Sequence, residues 1–535
     1  MMRKSVLLFV AALSACAPAI QSTPTRTDAA ARSERAQSWW SDVAALSSDS
    51  MEGRLTGTPS YERAAAFVEQ RLRTLGLQPA GSAGYRQRIA FEEQALDPAS
   101  ARLALASGGA ETPLRVPEDM IVSRRPPLPE RLDAPLVFIG YGLHMPEAGH
   151  DDLAGLDLRG KIAVFVGGAP RGTNGPLASH ARADRLRLLA ERGAIGAISL
   201  TTPRQLEVPW ARSAAGATST GLYFADPSVR TVSGRFFDAS MNPAEAERLF
   251  ARAGTRFAEI AALSDSSQPM PRFDLNQSLR GTLAPRLSSL ASDNVVARLP
   301  GTDLASEHVV LTAHLDGLGT TNAGADRVMN GALDNAAGVA ALLDIAAELR
   351  RSGIRPRRSI LFVFVTAEER GLLGARYFAQ RPTVPKASIV ANLNYDMALP
   401  LFPLRSVIVL GAGESSLGAD AEAVGAASGL PLVPDPFPNR NSFTRSDQYA
   451  FIEQGIPAVA FKFGFAAGTP EAETERVWRA THYHGVSDDG SQPVFKEDEI
   501  RLHDFIAALA LRIANANDRP RWNDASFFRR FSHQP

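Results

Sequence analysis

A chain of 535 residues exceeds what one ordinary hydrophobic core organises, so two domains are expected. Lys plus Arg equals Asp plus Glu at 57 each, which removes the net field that a nucleic-acid or anionic-surface binder would use. A single cysteine, Cys16, excludes any intrachain disulfide and any thiolate metal site.

Residues 1–4 are basic, and residues 5–13 form an apolar run too short to span a membrane. Leu13-Ser-Ala-Cys16 then resembles a bacterial lipobox, which predicts a signal peptide over 1–16, cut before Cys16 and lipidated on its thiol; an ordinary signal peptide with an incidental cysteine is the alternative. Ala17 follows rather than Asp, which by resemblance to other lipoproteins implies the outer membrane. The expected location is therefore the bacterial cell envelope, anchored by lipid and facing the periplasm. Residues 17–36 are rich in Thr, Ser, Ala and Pro and read as a flexible tether. A short helix is expected over 39–46, then a loop, Met51-Glu-Gly-Arg-Leu-Thr-Gly-Thr-Pro59. Ser60 is placed to cap a helix over 61–75, whose apolar positions Ala64, Phe67, Val68, Leu72 and Leu75 follow helical spacing and which Gly76 ends. Residues 86–105 alternate loosely and suggest strands.

From about residue 116 the texture changes. Pro135-Leu-Val-Phe-Ile-Gly-Tyr-Gly142 is a strand entering a glycine turn, and Asp157-Leu-Arg-Gly-Lys-Ile-Ala-Val-Phe-Val166 is a turn followed by a strand. A helix over 178–192 leads to the strand Gly193-Ala-Ile-Gly-Ala-Ile-Ser-Leu200. These features resemble the protease-associated domain, a small β-rich insert of several peptidase families, here placed at 120–275; a generic α/β insert is the alternative. His144, His150 and His180 lie within it, and surface or hydrogen-bonding roles are expected for them.

The larger domain resumes at Asn294-Val-Val-Ala-Arg-Leu-Pro-Gly301 and carries three apolar runs: His308-Val-Val-Leu-Thr312, Ser359-Ile-Leu-Phe-Val-Phe-Val365 and Ser388-Ile-Val-Ala-Asn-Leu-Asn394. Each is short, β-branched or aromatic, and too continuous for a one-sided surface strand, which suits a parallel sheet covered on both faces. Each is followed at once by ionisable residues: His314 and Asp316, then Glu368 and Glu369, then Asp396. Ligands of an open α/β sheet bind outside the carboxyl ends of its strands. Asp334 adds a carboxylate just before an Ala-rich helix over 336–350. So many acids on one rim repel one another unless cations are present, and histidine nitrogen with carboxylate oxygen suits zinc, often as a pair of ions. Further strands are expected at 406–410 and 458–461, helices at 446–454 and 498–514, and a polar, aromatic tail over 518–535.

Six motifs in order carry a resemblance: Thr312-Ala-His-Leu-Asp316, Asn330-Gly-Ala-Leu-Asp-Asn-Ala-Ala-Gly338, Thr366-Ala-Glu-Glu-Arg-Gly-Leu-Leu-Gly374, Asn394-Tyr-Asp396, Arg445-Ser-Asp447 and Tyr483-His484. With the Glu-Gly-Arg motif near residue 52, they resemble the co-catalytic zinc aminopeptidases of metallopeptidase family twenty-eight. The resemblance implies an α/β fold, a mixed, mostly parallel sheet flanked by helices of the zinc exopeptidase type, with 37–119 and 276–517 as the two parts of the peptidase domain. It implies two Zn2+ ions: one held by His314 and Asp396, the other by Glu369 and His484, with Asp334 bridging, a role compatible with capping the following helix. His484 is favoured over His482 because Tyr483, His484 and Asp488 match the family's spacing. Asp316 would orient the imidazole of His314, Glu368 would be the general base, and the Tyr483 hydroxyl would stabilise the oxyanion. Arg445 would hold a substrate carbonyl or carboxylate. Many relatives have His where this chain has Gln448, a departure that bears on the substrate pocket and not on the five ligands. The expected function is a di-zinc exopeptidase acting on peptides, most simply an aminopeptidase. The alternatives are a zinc carboxypeptidase, a one-zinc glutaminyl cyclase or a non-catalytic binding lipoprotein. No nucleic-acid partner is expected, and nothing in the sequence bears on oligomeric state.

Overall fold

Strands with no polar face must be covered on both sides, and the three apolar runs are. In the computed structural model, which describes residues 26–532 except 174, 207–208, 216–218, 323 and 441, Leu304–His314 pairs in parallel with Arg358–Val365 on one side and Ile389–Asn394 on the other. Every residue of the last two strands is buried. Side chains alternate across the sheet: Val309, Leu311 and Ala313 enter one core and Val310 the other. Ala337–Arg351, Lys496–Asn515 and Arg26–Leu46 cover the first face, while Leu373–Gln380 and Gln448–Ile452 cover the second.

The sheet is mixed. Ala458–Phe463 continues the parallel centre beside Ile389–Asn394, and Val407–Leu410 turns antiparallel to it and pairs in parallel with Leu432–Val433. The other flank, Pro285–Leu299, Arg86–Leu96 and Gly221–Phe224, is antiparallel throughout. The expectation of a mostly parallel sheet therefore holds for the centre and not for this flank. Its strands alternate or stay partly open to solvent, which antiparallel edges tolerate and buried parallel strands do not.

Two local expectations shift. The first helix starts at Arg26, so the tether expected over 17–36 gives way to helix for more than half of its length. Alanine is common in linkers but is also the strongest helix former, and here residues 29–31 and Ala36 continue into a face that docks. Ala36, Trp39, Val43 and Leu46 are buried, Trp39 Nε1 donates to the Ala337 carbonyl at 3.1 Å, and Arg35 pairs with Asp344 and Asp504, both at 2.7 Å. The signal peptide and Cys16 lie outside the described residues. In the second case, Thr58 rather than Ser60 caps the helix Pro59–Thr74, its hydroxyl accepting from Tyr61 N at 3.4 Å. Pro59 then occupies the first turn, where its missing N–H is no loss.

A second sheet of eight strands has its own core. Its centre, Arg131–Phe138, Ile162–Val166, Gly196–Leu200 and Phe237–Met241, is parallel. It reaches from Arg102 to Thr282, wider than 120–275, because Arg102–Ser107 pairs onto Phe273–Thr282 and Ala110–Leu114 pairs onto Arg102–Ser107. One strand of this stretch, Gly221–Phe224, leaves to join the edge of the first sheet at Arg86–Leu96, stitching the insert to the larger domain. The C-terminal stretch also docks: Trp522 and Phe528 are buried, and Trp522 Nε1 donates to the Gly455 carbonyl at 3.0 Å.

Candidate metal centre

His314 is the last residue of its strand, Glu368 and Glu369 follow the next strand, and Asp396 follows the third. Parallel pairing brings these ends to one rim. Asp334 sits in a tight turn at Ala332–Ala336, outside helical geometry, so that its carboxylate faces the strands rather than capping the helix behind it. His484 comes from the turn after Pro470–Thr481, with φ at +55°.

These five side chains form two groups that share one member. His314 Nε2 lies 3.1 Å from Asp334 Oδ1 and 3.5 Å from Asp396 Oδ1. His484 Nε2 lies 3.2 Å from Asp334 Oδ2 and 3.3 Å from Glu369 Oε2. In each group the donor atoms lie within 4.8 Å of one another. One oxygen of Asp334 therefore serves each group. One histidine nitrogen and two carboxylate oxygens are the donor type and number of a zinc site that keeps a position open.

The electrostatics agree. Burial opposes charge on His314, yet Glu368, Asp334 and Asp396 hold its pKa well above the usual value. His484 is raised to about 10 against burial by its hydrogen bonds to Asp334 and Glu369. Asp334 is held below the ordinary carboxylate range by the two histidines, although burial pushes the other way. Burial pushes Glu368 well up, with Glu369, Asp396 and Asp447 adding to it. Among the described residues, Glu369 Oε1, Asp396 Oδ1 and both oxygens of Asp447 are buried without a hydrogen-bond partner. Buried, unpaired carboxylate oxygens at a cluster of acids are what a bound cation satisfies.

The supporting shell departs from expectation at Asp316. It orients His314 through its main-chain carbonyl, 3.2 Å from Nδ1, while its carboxylate stands 3.9 Å away. That carboxylate instead accepts from Glu368 N at 3.0 Å, Glu369 N at 3.3 Å and the Thr56 hydroxyl at 3.2 Å. Two residues from the histidine, the side chain points past the ring and fixes the turn that carries both glutamates.

Three further supports gave only faint signals in the sequence. Asp488 accepts from Leu333 N at 2.9 Å and Asp334 N at 3.0 Å, and burial pushes its pKa up to about 7. Ser446 donates to Asp396 Oδ2 at 2.5 Å. Arg54, from the Glu-Gly-Arg loop, is fully buried and donates to the carbonyls of Leu315, Leu46, Asn330 and Gly331 at 2.7–3.0 Å. It ties the loop after His314 to the loop before Asp334. Arg54→Met is expected to orphan four carbonyls and cost about 3–5 kcal/mol, checked as a fall in the urea midpoint.

Tyr483 stacks on His484 at 3.7 Å, and burial and the surrounding acids push its hydroxyl well up. His482 turns away, stacked on Trp478 and bonded to the Thr481 hydroxyl at 2.6 Å. Arg445 is exposed and bonds the Arg440 carbonyl at 3.5 Å, outside both ligand groups. In the insert, His144 pairs with Asp151 and His150 with Asp152, at 3.2 and 3.0 Å, while His180 meets the Tyr449 hydroxyl at 2.6 Å.

Residues 294–509 match the model of peptidase family M28. Leupeptin-inactivating enzyme 1 of Streptomyces exfoliatus is 36% identical over 105 residues, 19% of this chain and 22% of that protein. Probable glutamate carboxypeptidase AMP1 of Arabidopsis thaliana is 37% identical over 193 residues, 32% of this chain and 24% of that protein. The chain thus spans less than a quarter of the length of these two relatives. Among solved structures, an aminopeptidase from Aneurinibacillus sp. strain AM-1 superposes with a TM-score of 0.52 at 20% identity, covering 91% of this chain and 98% of that one, which shows a shared fold.

Proposed function

We propose that this chain, whose residues 294–509 match the model of peptidase family M28, is an exopeptidase that binds two zinc ions and releases N-terminal residues from peptides. The observation that carries this reading is Asp334, a single carboxylate divided between two histidine-containing groups. Bound zinc would supply Lewis acidity, lowering the pKa of water toward neutrality and polarising the amide carbonyl. Glu368 takes the proton from the attacking water and delivers it to the departing amine; its raised pKa suits a group that must hold a proton briefly near neutral pH. Tyr483 keeps its proton and donates a hydrogen bond to the oxygen that gains charge. The acidic rim of Glu369, Asp334 and Asp396 favours a substrate ammonium group, and exposed Arg445 is available to a substrate carbonyl or carboxylate.

Zinc analysis with a panel of aminoacyl nitroanilides and N-acetylated peptides tests this. About two zinc ions per chain are expected, with activity lost on chelation, restored by zinc and absent on N-acetylated substrates. Cleavage of N-acetylated peptides from the C-terminus would replace the reading with a carboxypeptidase, the second reading, favoured by the likeness to a protein named a probable glutamate carboxypeptidase. One zinc and cyclisation of N-terminal glutamine would indicate a cyclase. No turnover of any substrate would leave a binding lipoprotein.

The insert, on its eight-stranded sheet with a parallel centre, is read as a protease-associated domain. Cys16 is read as the lipid attachment site that holds the protein to the outer membrane, a modification that labelling with radioactive palmitate checks.

A further inference from the structure

One segment of the insert reaches the turn that carries Glu368. After the strand Met120–Val122 the chain crosses toward the first sheet as Ser123-Arg-Arg-Pro-Pro127. Gln94, buried on Arg86–Leu96, pins this crossing. Its Nε2 donates to the carbonyls of Arg124 at 3.1 Å and Pro126 at 3.0 Å, and its Oε1 accepts from Leu128 N at 3.0 Å. On the far side Gly221 lets the neighbouring strand approach, since a Cβ there would run into the Arg124 carbonyl.

The crossing delivers Arg125 to the turn that carries Glu368. That turn is closed by Gly371 N and Leu372 N, both 2.8 Å from the Glu368 carbonyl. The guanidinium lies against it: a Cβ added at Gly371 would stand 3.6 Å from Arg125 Nη1. Arg125 is exposed, and among the described residues no hydrogen bond or ion pair holds its guanidinium. Around it are Arg370, Glu368, Glu369 and Asp238. Arg370 Nη1 is engaged with the Thr220 carbonyl at 2.5 Å, and Asp238 with the Ser123 hydroxyl.

The positive charge of Arg370 opposes that of Arg125, and an anion bound at Arg125 would relieve this. Because Glu368 serves the departing amine, a cation beside its turn lies on the leaving-group side of the scissile bond. We propose that Arg125 recognises a carboxylate carried by the residue on that side, an inference that rests on the peptidase reading. The carboxylate is either the free C-terminus of a dipeptide or the side chain of an aspartate or glutamate. Arg125 is then a specificity residue that the insert contributes to a site otherwise built by the larger domain.

The test compares three substrates with the same N-terminal residue: a dipeptide ending in alanine, its C-terminal amide, and the amide of the corresponding glutamate dipeptide. Wild type should favour a carboxylate-bearing substrate over the alanine amide by about 10–100-fold in kcat/KM, the range of a charged hydrogen bond. Preference for the free dipeptide identifies a main-chain carboxylate, and preference for the glutamate amide identifies a side chain. The preference should collapse in Arg125→Gln and return in part in Arg125→Lys. Equal rates on all three in wild type, or an undiminished preference in Arg125→Gln, overturn the proposal. The same ratio is read as binding by calorimetry on the zinc-loaded Glu368→Gln chain. Carboxylate recognition is thus measured even if wild type cuts none of the three, a result that would count against the peptidase reading alone.

Discussion

Glu368→Ala is expected to lower kcat by about 10²–10⁴-fold, the usual contribution of a positioned general base, while zinc content stays at the wild-type level. The second half of that statement makes the experiment specific. Glu368 and Glu369 are adjacent, and both main-chain nitrogens donate to the Asp316 carboxylate, so the turn presents the two side chains differently. Glu369 Oε2 reaches His484, whereas Glu368 belongs to neither ligand group. Its interactions are instead electrostatic, and burial beside Glu369, Asp396 and Asp447 pushes its pKa well up. A carboxylate so placed is costly unless it has a use that an exposed acid would not serve. Removing it takes away a nearby charge but no member of either ligand group, so metal should be retained. Kinetics and zinc analysis on one preparation decide the matter. Full activity in Glu368→Ala would remove it as the base, and loss of zinc together with activity would make it a ligand.

The sequence announced this centre unusually well, for a physical reason. The candidate site residues at the ends of buried parallel strands follow directly on apolar runs, so periodicity and chemistry point to the same places: His314, Glu368, Glu369 and Asp396. Asp334 and His484 were harder, since each lies in a turn with unusual backbone angles that no periodic pattern announces, and motif spacing alone placed them. What escaped was support that acts across long sequence separations. Arg54 bonds carbonyls near residues 46, 315 and 330, and its loop reads as a plain turn. Asp316 does meet the His314 imidazole, but through its main-chain carbonyl, because past the end of the strand its carboxylate, 3.9 Å from Nδ1, accepts from the nitrogens of residues 368 and 369. The antiparallel flank was missed because its strands are long, half-exposed and interrupted by the insert between residues 96 and 285. Arg125 had no local signal at all; only the crossing pinned by Gln94 reveals what it faces.

Asp334→Ala should empty the centre more completely than the loss of any other ligand. Asp396 and Glu369 each belong to one group, so Asp396→Ala or Glu369→Ala should weaken mainly one ion and leave about one zinc per chain. Asp334 supplies an oxygen to each group, 3.1 Å from His314 and 3.2 Å from His484. Zinc should therefore fall well below one per chain, and kcat/KM should drop by more than the ~10–100-fold typical of losing an outer-shell partner. The backbone around position 334 is held independently, by Asp488 on Leu333 N and Asp334 N, so a folded apoprotein is expected and an unchanged far-UV spectrum checks it. Should Asp334→Ala retain as much zinc as Glu369→Ala, the two groups act separately, and the case for a bridged pair of ions fails even if the chain remains a zinc peptidase.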